Sequence, residues 1–184
     1  MKAYFYNGRI CFNSMNYEKA MENYLIAEEC VPKCKDLTYV GLLYNSKAMV
    51  YNRVYDYVKA FEQVELAASY YLKNNDTSRY LGAVNNILVN FSTRGVVEGA
   101  DKYISVLEDN WEKLSVTQKS NYYSNKLAGC IKRKVKVEEI ESIINLYLND
   151  VKSETRINWV IIARSYCYLD KYDSALQSLQ LYDK

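Results

Sequence analysis

Apolar residues recur along this chain every three or four positions, and the strict alternation of apolar and polar residues that marks strands is absent. In the clearest stretch, Ile157, Val160 and Ile161 begin one apolar stripe, and Tyr172 and Leu176 begin a second after a short polar turn. This spacing is typical of amphipathic helices. The chain is therefore predicted to be all-α.

The pattern predicts ten helices in five successive pairs. Breaks fall at Pro32 and at the Asn-Asn-Asp run of residues 74–76, Ser115 with Gln118 forms a capping box, and Ser153 is a further start signal. The predicted pairs are 2–13 with 17–30, 37–52 with 57–73, 77–93 with 96–109, 116–131 with 137–148, and 154–168 with 172–182.

The pairs repeat at a regular step. The segment Asn-Tyr-Glu-Lys-Ala at 16–20 recurs 40 residues later as Asp-Tyr-Val-Lys-Ala at 56–60. Two more steps of 40 reach 97–102 and 137–141, and a step of 35 reaches 172–176. Five segments in register predict a repeat architecture. The predicted units are 1–35, 36–75, 76–113, 114–150 and 151–184, all within a single domain, 1–184.

Small and aromatic residues recur at matching places in these units. The first helices carry Gly8, Ala48, Ala128 and Ala163, and the second helices carry Ala20, Ala60, Ala100 and Ala175. The fifth unit adds Trp159, Tyr166 and Leu179 at the expected spacing. On these residues the chain resembles the tetratricopeptide repeat family in a divergent, long-repeat bacterial form. The step of 40 instead of 34, and Ile140 in place of the second-helix Ala, depart from the family pattern.

The resemblance implies a right-handed α-solenoid of about five antiparallel helix pairs, with the first helices lining a concave groove. By the same resemblance, the second, fifth, ninth and twelfth places of each unit face that groove. The candidate peptide-binding residues at these places are Arg9, Asn45, Met49, Asn52, Asn85, Asn125 and Arg164.

Three of these residues, Asn45, Asn85 and Asn125, are 40 positions apart. An amide both donates and accepts hydrogen bonds, so such a ladder would hold the backbone of an extended peptide. Arg9 and Arg164 would then pair with carboxylates at the two ends of the ligand. In the alternative interpretation, the Asn side chains satisfy neighbouring helices or face water, and the two Arg residues are ordinary solvated charges.

The amino-acid composition limits the classes of function that the chain can have. The 184 residues are 49% hydrophobic and 25% charged, which is typical of a globular chain. The net charge of +2 gives no indication of nucleic-acid binding. The sequence contains no His, the commonest general base and metal ligand. Ser and Cys therefore lack a His to activate them. We expect no enzyme activity, no cofactor and no metal site. Among the 20 Tyr residues, those at repeat packing positions are expected to lie in the core: Tyr4, Tyr17, Tyr24, Tyr44, Tyr51, Tyr57, Tyr166 and Tyr172.

The predicted function is a non-catalytic scaffold that binds a protein or peptide in its groove. The alternative is a peptide-sensing domain of a bacterial regulator whose output domain is absent from the chain. No apolar run is long enough to span a membrane. The sequence begins inside the first helix of one predicted pair and ends with the second helix of another, without a polar cap. We therefore expect a fragment of a longer protein, with oligomerisation through the uncapped terminal repeats as one open alternative. The compartment stays open: cytoplasmic if Met1 is the native start, extracytoplasmic if the domain is excised.

Overall fold

The computed structural model of the chain describes residues 1–94, 99–152 and 154–182. In these ranges there are ten α-helices and no strand, so the all-α prediction is confirmed. The helices are α1 (Lys2–Asn13), α2 (Tyr17–Glu29), α3 (Leu37–Arg53), α4 (Tyr57–Lys73), α5 (Thr77–Arg94), α6 (Asp101–Glu108), α7 (Val116–Arg133), α8 (Val137–Asp150), α9 (Trp159–Tyr168) and α10 (Tyr172–Tyr182).

Side-chain caps set the starts of several helices. The Oδ1 atoms of Asn16 and Asp56 each accept a hydrogen bond from the backbone N–H three residues on, at 3.1 Å in both cases. At α7, Ser115 Oγ accepts from the Gln118 N–H at 3.2 Å, and Gln118 Oε1 accepts from the Ser115 N–H at 2.9 Å. The predicted capping box is therefore present.

One predicted helix start differs from the structure, and another falls on residues outside the described ranges. The helix predicted from 154 begins only at Trp159, because Asn158 is the cap and its Oδ1 accepts from the Ile161 N–H at 3.3 Å. A single 3-10 turn occupies Glu154–Arg156, and Ser153 lies outside the described residues. The helix predicted at 96–109 is described from Asp101, and the predicted start at 96–98 also lies outside them.

One type of turn joins the two helices of several pairs. In the first pair, Met15 is left-handed (φ 59°), and the Asn16 N–H donates to the Cys11 carbonyl at 2.9 Å. This six-residue hydrogen bond around a left-handed residue is the Schellman pattern that ends a helix. The residues that take the same place in three later pairs are Tyr55, Lys134 and Asp170.

The chain divides into two compact units, residues 1–90 and residues 91–184. In the first unit, α1 packs against α2, α3 packs against α4, and both α1 and α2 contact α3. In the second unit, α7 packs against α8 and α9, and α9 packs against α10. The Phe91 and Tyr103 rings, with centroids 5.8 Å apart, join the end of α5 to α6.

The core of the first unit depends on a glycine that lets two helices approach closely. A Cβ built on Gly8 would lie 2.4 Å from Cε1 of Tyr24, whose side chain is fully enclosed (1% exposed). The Tyr24 ring therefore occupies the space that any larger residue at position 8 would need. This is one of the small positions that carry the family resemblance.

Replacing this glycine should destabilise the protein. We expect Gly8→Ala to lower the free energy of unfolding by about 2 kcal/mol, because the overpacking penalty exceeds the gain of about 1 kcal/mol in helix propensity. The matched control is Gly129→Ala in α7, where the nearest atom to the added Cβ is Arg133 Nη2 at 3.9 Å. That change should be neutral or stabilising. Urea unfolding followed by circular dichroism measures both, and equal effects would contradict the packing argument.

Candidate binding groove

The predicted groove residues of the second pair meet at a cavity in the first unit, which we call the α3–α5 cavity. It measures about 280 Å³. Three of the predicted site residues, Asn45, Met49 and Asn52, line it from α3. The complete lining is Asn45, Ala48, Met49, Asn52, Val64, Asn86 and Val89.

Helical spacing explains why these residues converge. Asn45, Met49 and Asn52 are four and three residues apart on α3, so they share one face of the helix. Asn86 and Val89 are three residues apart on α5 and share a face in the same way. The cavity therefore presents two helical faces to one another.

The cavity has an apolar base and an exposed apolar rim. The base is formed by Ala48 and Val64, each 1% exposed. The rim includes Met49, 43% exposed, and Val89, 39% exposed. An apolar ligand group that enters the cavity would bury these two rim side chains together with its own surface, which is favourable.

Two amides meet at the cavity. The Nδ2 group of Asn86 donates to Oδ1 of Asn45 at 3.2 Å. This bond leaves the side-chain NH₂ group of Asn45 and the side-chain oxygen of Asn86, Oδ1, without a protein partner among the residues that the structure describes. The cavity wall therefore offers one amide donor and one amide acceptor, the two groups that an extended peptide backbone requires.

Asn85, the middle member of the predicted ladder, does not line this cavity. Its side chain is buried, with 2% exposed, whereas the neighbouring Asn86 is exposed and forms part of the lining. Consecutive helical residues are about 100° apart around the axis, so only one of the two can face the cavity. Sequence reasoning missed Asn86, and the Asn-Asn pair at 85–86 was the signal that could have identified it.

Asn125, the third member of the ladder, lies in the second unit, where it is half-buried on α7. Its Oδ1 accepts a hydrogen bond from Ser92 Oγ at 3.5 Å, and the Ser92 carbonyl accepts from Lys132 Nζ at 2.6 Å. These contacts tie α7 to the end of α5. They agree with the alternative in which such Asn side chains satisfy a neighbouring helix.

The two predicted arginine anchors are exposed and lie in different units. Arg9 is on α1, with its guanidinium 5.9 Å from the Phe5 ring centroid, and Arg164 is on α9. Neither residue lines the α3–α5 cavity. Within the described ranges, neither side chain forms a salt bridge.

The lining of the α3–α5 cavity carries no charge. The buried cation of α3, Lys47, instead pairs with Glu28 of α2, with Nζ 2.6 Å from Oε2. Burial, together with the nearby Glu28 carboxylate, raises the pKa of Tyr44 on the same helix to about 12. The Lys47 ammonium group therefore lies at the contact with α2, outside the neutral cavity.

A second cavity, of about 190 Å³, lies in the second unit against Trp111, Tyr122 and Tyr123. Its polar groups bond to one another: the Tyr122 hydroxyl donates to Glu108 at 2.5 Å and accepts from Lys126 at 2.9 Å. Burial, and next the Glu108 carboxylate, raise the pKa of Tyr122. Internal pairing of this kind indicates a structural cluster.

Neither a metal site nor a membrane span can be recognised in the described part of the chain. No three His, Cys, Asp or Glu side chains there are grouped so that they could hold a metal ion. None of the described helices combines the length and the apolar character that crossing a bilayer requires.

No protein-family model matches the chain, and no curated protein matches it either.

Proposed function

We propose that this chain is a non-catalytic binding scaffold of the tetratricopeptide repeat type, and that its α3–α5 cavity holds an extended peptide segment. One observation carries the proposal: the Asn45–Asn86 amide pair leaves one donor and one acceptor at the mouth of a neutral cavity. In this proposal the helix pairs stack as a right-handed α-solenoid, and the cavity belongs to its groove.

Internal repetition supports the repeat-family part of the proposal. The same left-handed turn joins the two helices within a pair at Met15, at Tyr55 and at Asp170. The small position of the first unit, Gly8, accommodates an aromatic ring of the second helix, as a close helix pair requires. The contacts of α1 and α2 with α3 are those expected when a second pair stacks on the first.

The mechanism follows from the chemistry of the lining. A peptide N–H would donate to the Asn86 oxygen, and a neighbouring peptide carbonyl would accept from the Asn45 NH₂ group. One side chain of the peptide would then enter between Met49 and Val89 towards the apolar base. A charged side chain would lose its hydration there without gaining a partner. The groove should therefore select uncharged segments with an aliphatic side chain.

Peptide display against the chain, followed by affinity measurements with synthetic peptides, tests this function. We expect enriched peptides to be uncharged at their centre, and we expect Asn45→Ala and Asn86→Ala each to weaken their binding about tenfold. Each substitution leaves a desolvated backbone group of the peptide unpaired, which costs about 1–3 kcal/mol.

The matched control is Asn145→Ala, which removes an exposed amide from α8 in the second unit. Its peptide affinity should equal that of the unmodified chain. The absence of enriched peptides, or affinities that are indifferent to Asn45 and Asn86, would reject the α3–α5 cavity as a peptide site.

A further inference from the structure

The first helix exposes side chains at positions that are buried in every later first helix. Ile10 is 64% exposed, and Asn7 is also exposed. Successive steps of 40, 40, 40 and 35 residues from Ile10 lead to positions that are at most 3% exposed: Val50, Asn90, Cys130 and Ser165. The same steps from Asn7 lead to Lys47, Ile87, Leu127 and Ile162, none more than 5% exposed.

The last helix likewise exposes side chains at positions that are buried in earlier second helices. On α10, Leu179 is 43% exposed and Tyr182 is 63% exposed. The places equivalent to Leu179 in three earlier second helices are each 1% exposed: Tyr24, Val64 and Ile144. The places equivalent to Tyr182 are each 0% exposed: Ala27, Ala67, Leu107 and Tyr147.

The interior of the first unit shows what normally covers these two surfaces. Tyr24 and Ala27 of α2 belong to one hydrophobic cluster with Leu43 and Val50 of α3. By the repeat step, Tyr24 and Ala27 of α2 correspond to Leu179 and Tyr182 of α10. Leu43 and Val50 of α3 correspond in the same way to Ala3 and Ile10 of α1. The exposed face of α10 and the exposed face of α1 are thus the two halves of a contact that α2 and α3 already make.

We propose that copies of this chain associate head to tail, with α10 of one copy packed against α1 of the next in the manner of α2 against α3. The interior cluster combines one Ala with three larger side chains, and Ala3 with Ile10, Leu179 and Tyr182 does the same.

Because the two faces differ, the contact is heterologous, and each copy keeps one free face after pairing. Association should therefore continue beyond the dimer as concentration rises. This inference is independent of peptide binding in the α3–α5 cavity, since none of the residues that line the cavity lies on α1 or α10.

Sedimentation velocity over a roughly hundredfold concentration range tests the association directly. The average mass of the unmodified chain should rise with concentration. Ile10→Asp and Leu179→Asp should each weaken self-association at least tenfold, because each places a charge in one half of the contact. The control Leu66→Asp alters an equally exposed leucine on α4 (42% exposed) and should associate like the unmodified chain. Circular dichroism verifies that each variant is folded.

Mixing the two variants identifies the geometry. Ile10→Asp retains an intact α10 face, and Leu179→Asp retains an intact α1 face, so an equimolar mixture should form a one-to-one complex and nothing larger. A mixture that stays monomeric would overturn the proposal. So would an unmodified chain that is monomeric throughout, as expected if another protein covers these faces, or a single variant that still self-associates like the unmodified chain.

Discussion

Removing the Glu28 carboxylate should lower the free energy of unfolding by about 3 kcal/mol, although Glu28 itself is only partly buried. Its partner, Lys47, lies 2.6 Å away with 6% of its side chain exposed, against 31% for Glu28. Glu28→Ala would therefore leave the Lys47 ammonium group without a counterion in the contact between α2 and α3. An uncompensated buried charge of this kind costs about 3–5 kcal/mol, and the partial exposure of Glu28 favours the lower end of that range.

A double variant separates the effect of the unpaired Lys47 charge from the effect of lost side-chain packing. Lys47→Met keeps an unbranched apolar stem while removing the ammonium group, so Glu28→Ala combined with Lys47→Met should recover to within about 1 kcal/mol of the unmodified chain. The repeat agrees, since the equivalent positions in later units hold Ile87, Leu127 and Ile162. Urea unfolding followed by circular dichroism measures the cycle. Equal destabilisation in the single and the double variant would show that the charge is not the cause.

Most helix starts could be predicted from the sequence, because local residues specify where those helices begin. Eight of the ten helices begin at the residue predicted. The caps at Asn16 and Asp56 and the capping box at Ser115 act within four residues of chain, so a local pattern contains all the information that they need.

The start of α9 could not be predicted in this way, because contacts from distant residues set it. Ser120 Oγ donates to the Arg156 carbonyl at 2.5 Å, and the Asn158 N–H donates to the Tyr147 hydroxyl at 2.8 Å. These bonds, from residues on α7 and α8, hold the backbone before α9 in a conformation other than the α-helix. The segment offers two capping residues, Ser153 and Asn158, and these distant contacts agree with a start at Asn158.

The α3 side of the candidate site was predictable, and its α5 side was only partly so. A rigid step of 40 residues identifies Asn45 and then Asn85, whereas the amide pair joins Asn45 to Asn86, 41 residues on. One residue of shift rotates a helix face by about 100°, which exchanges a buried side chain for an exposed one. The burial of Lys47 could not be predicted from the sequence either, because its counterion is 19 residues away on another helix.

Raising the pH above about 10 should destabilise the protein through its buried tyrosines. Burial raises the pKa of Tyr71 to about 12, and burial with the Glu28 carboxylate raises that of Tyr44 to about 12. An unfolded tyrosine titrates near 10, so between about pH 10 and 12 the folded state keeps phenolic protons that the unfolded state has released. The stabilisation is therefore complete below about pH 10 and is lost as the pH rises through 12.

For these two residues together, the expected loss by about pH 12 is about 3 kcal/mol, after allowance for partial solvent screening. Urea unfolding at several alkaline pH values measures the stability, and tyrosinate absorbance follows the titration. Burial also raises the pKa of Tyr123 on α7, so the second unit should show the same direction.

Tyr71→Phe provides the decisive comparison, because it removes one titrating group without removing a hydrogen bond. The Tyr71 ring packs over Gly41, and its hydroxyl has no hydrogen-bond partner within the described residues. The variant should match the unmodified chain near neutral pH and should lose about 2 kcal/mol less at high pH, the larger share of the combined loss, because Tyr71 is the more deeply buried of the two. Tyr55→Phe, which alters a 77% exposed ring, should leave the alkaline slope unchanged. If Tyr71→Phe instead follows the unmodified chain at every pH, the alkaline loss does not come from this buried phenol, and repulsion among the growing negative charges becomes its cause.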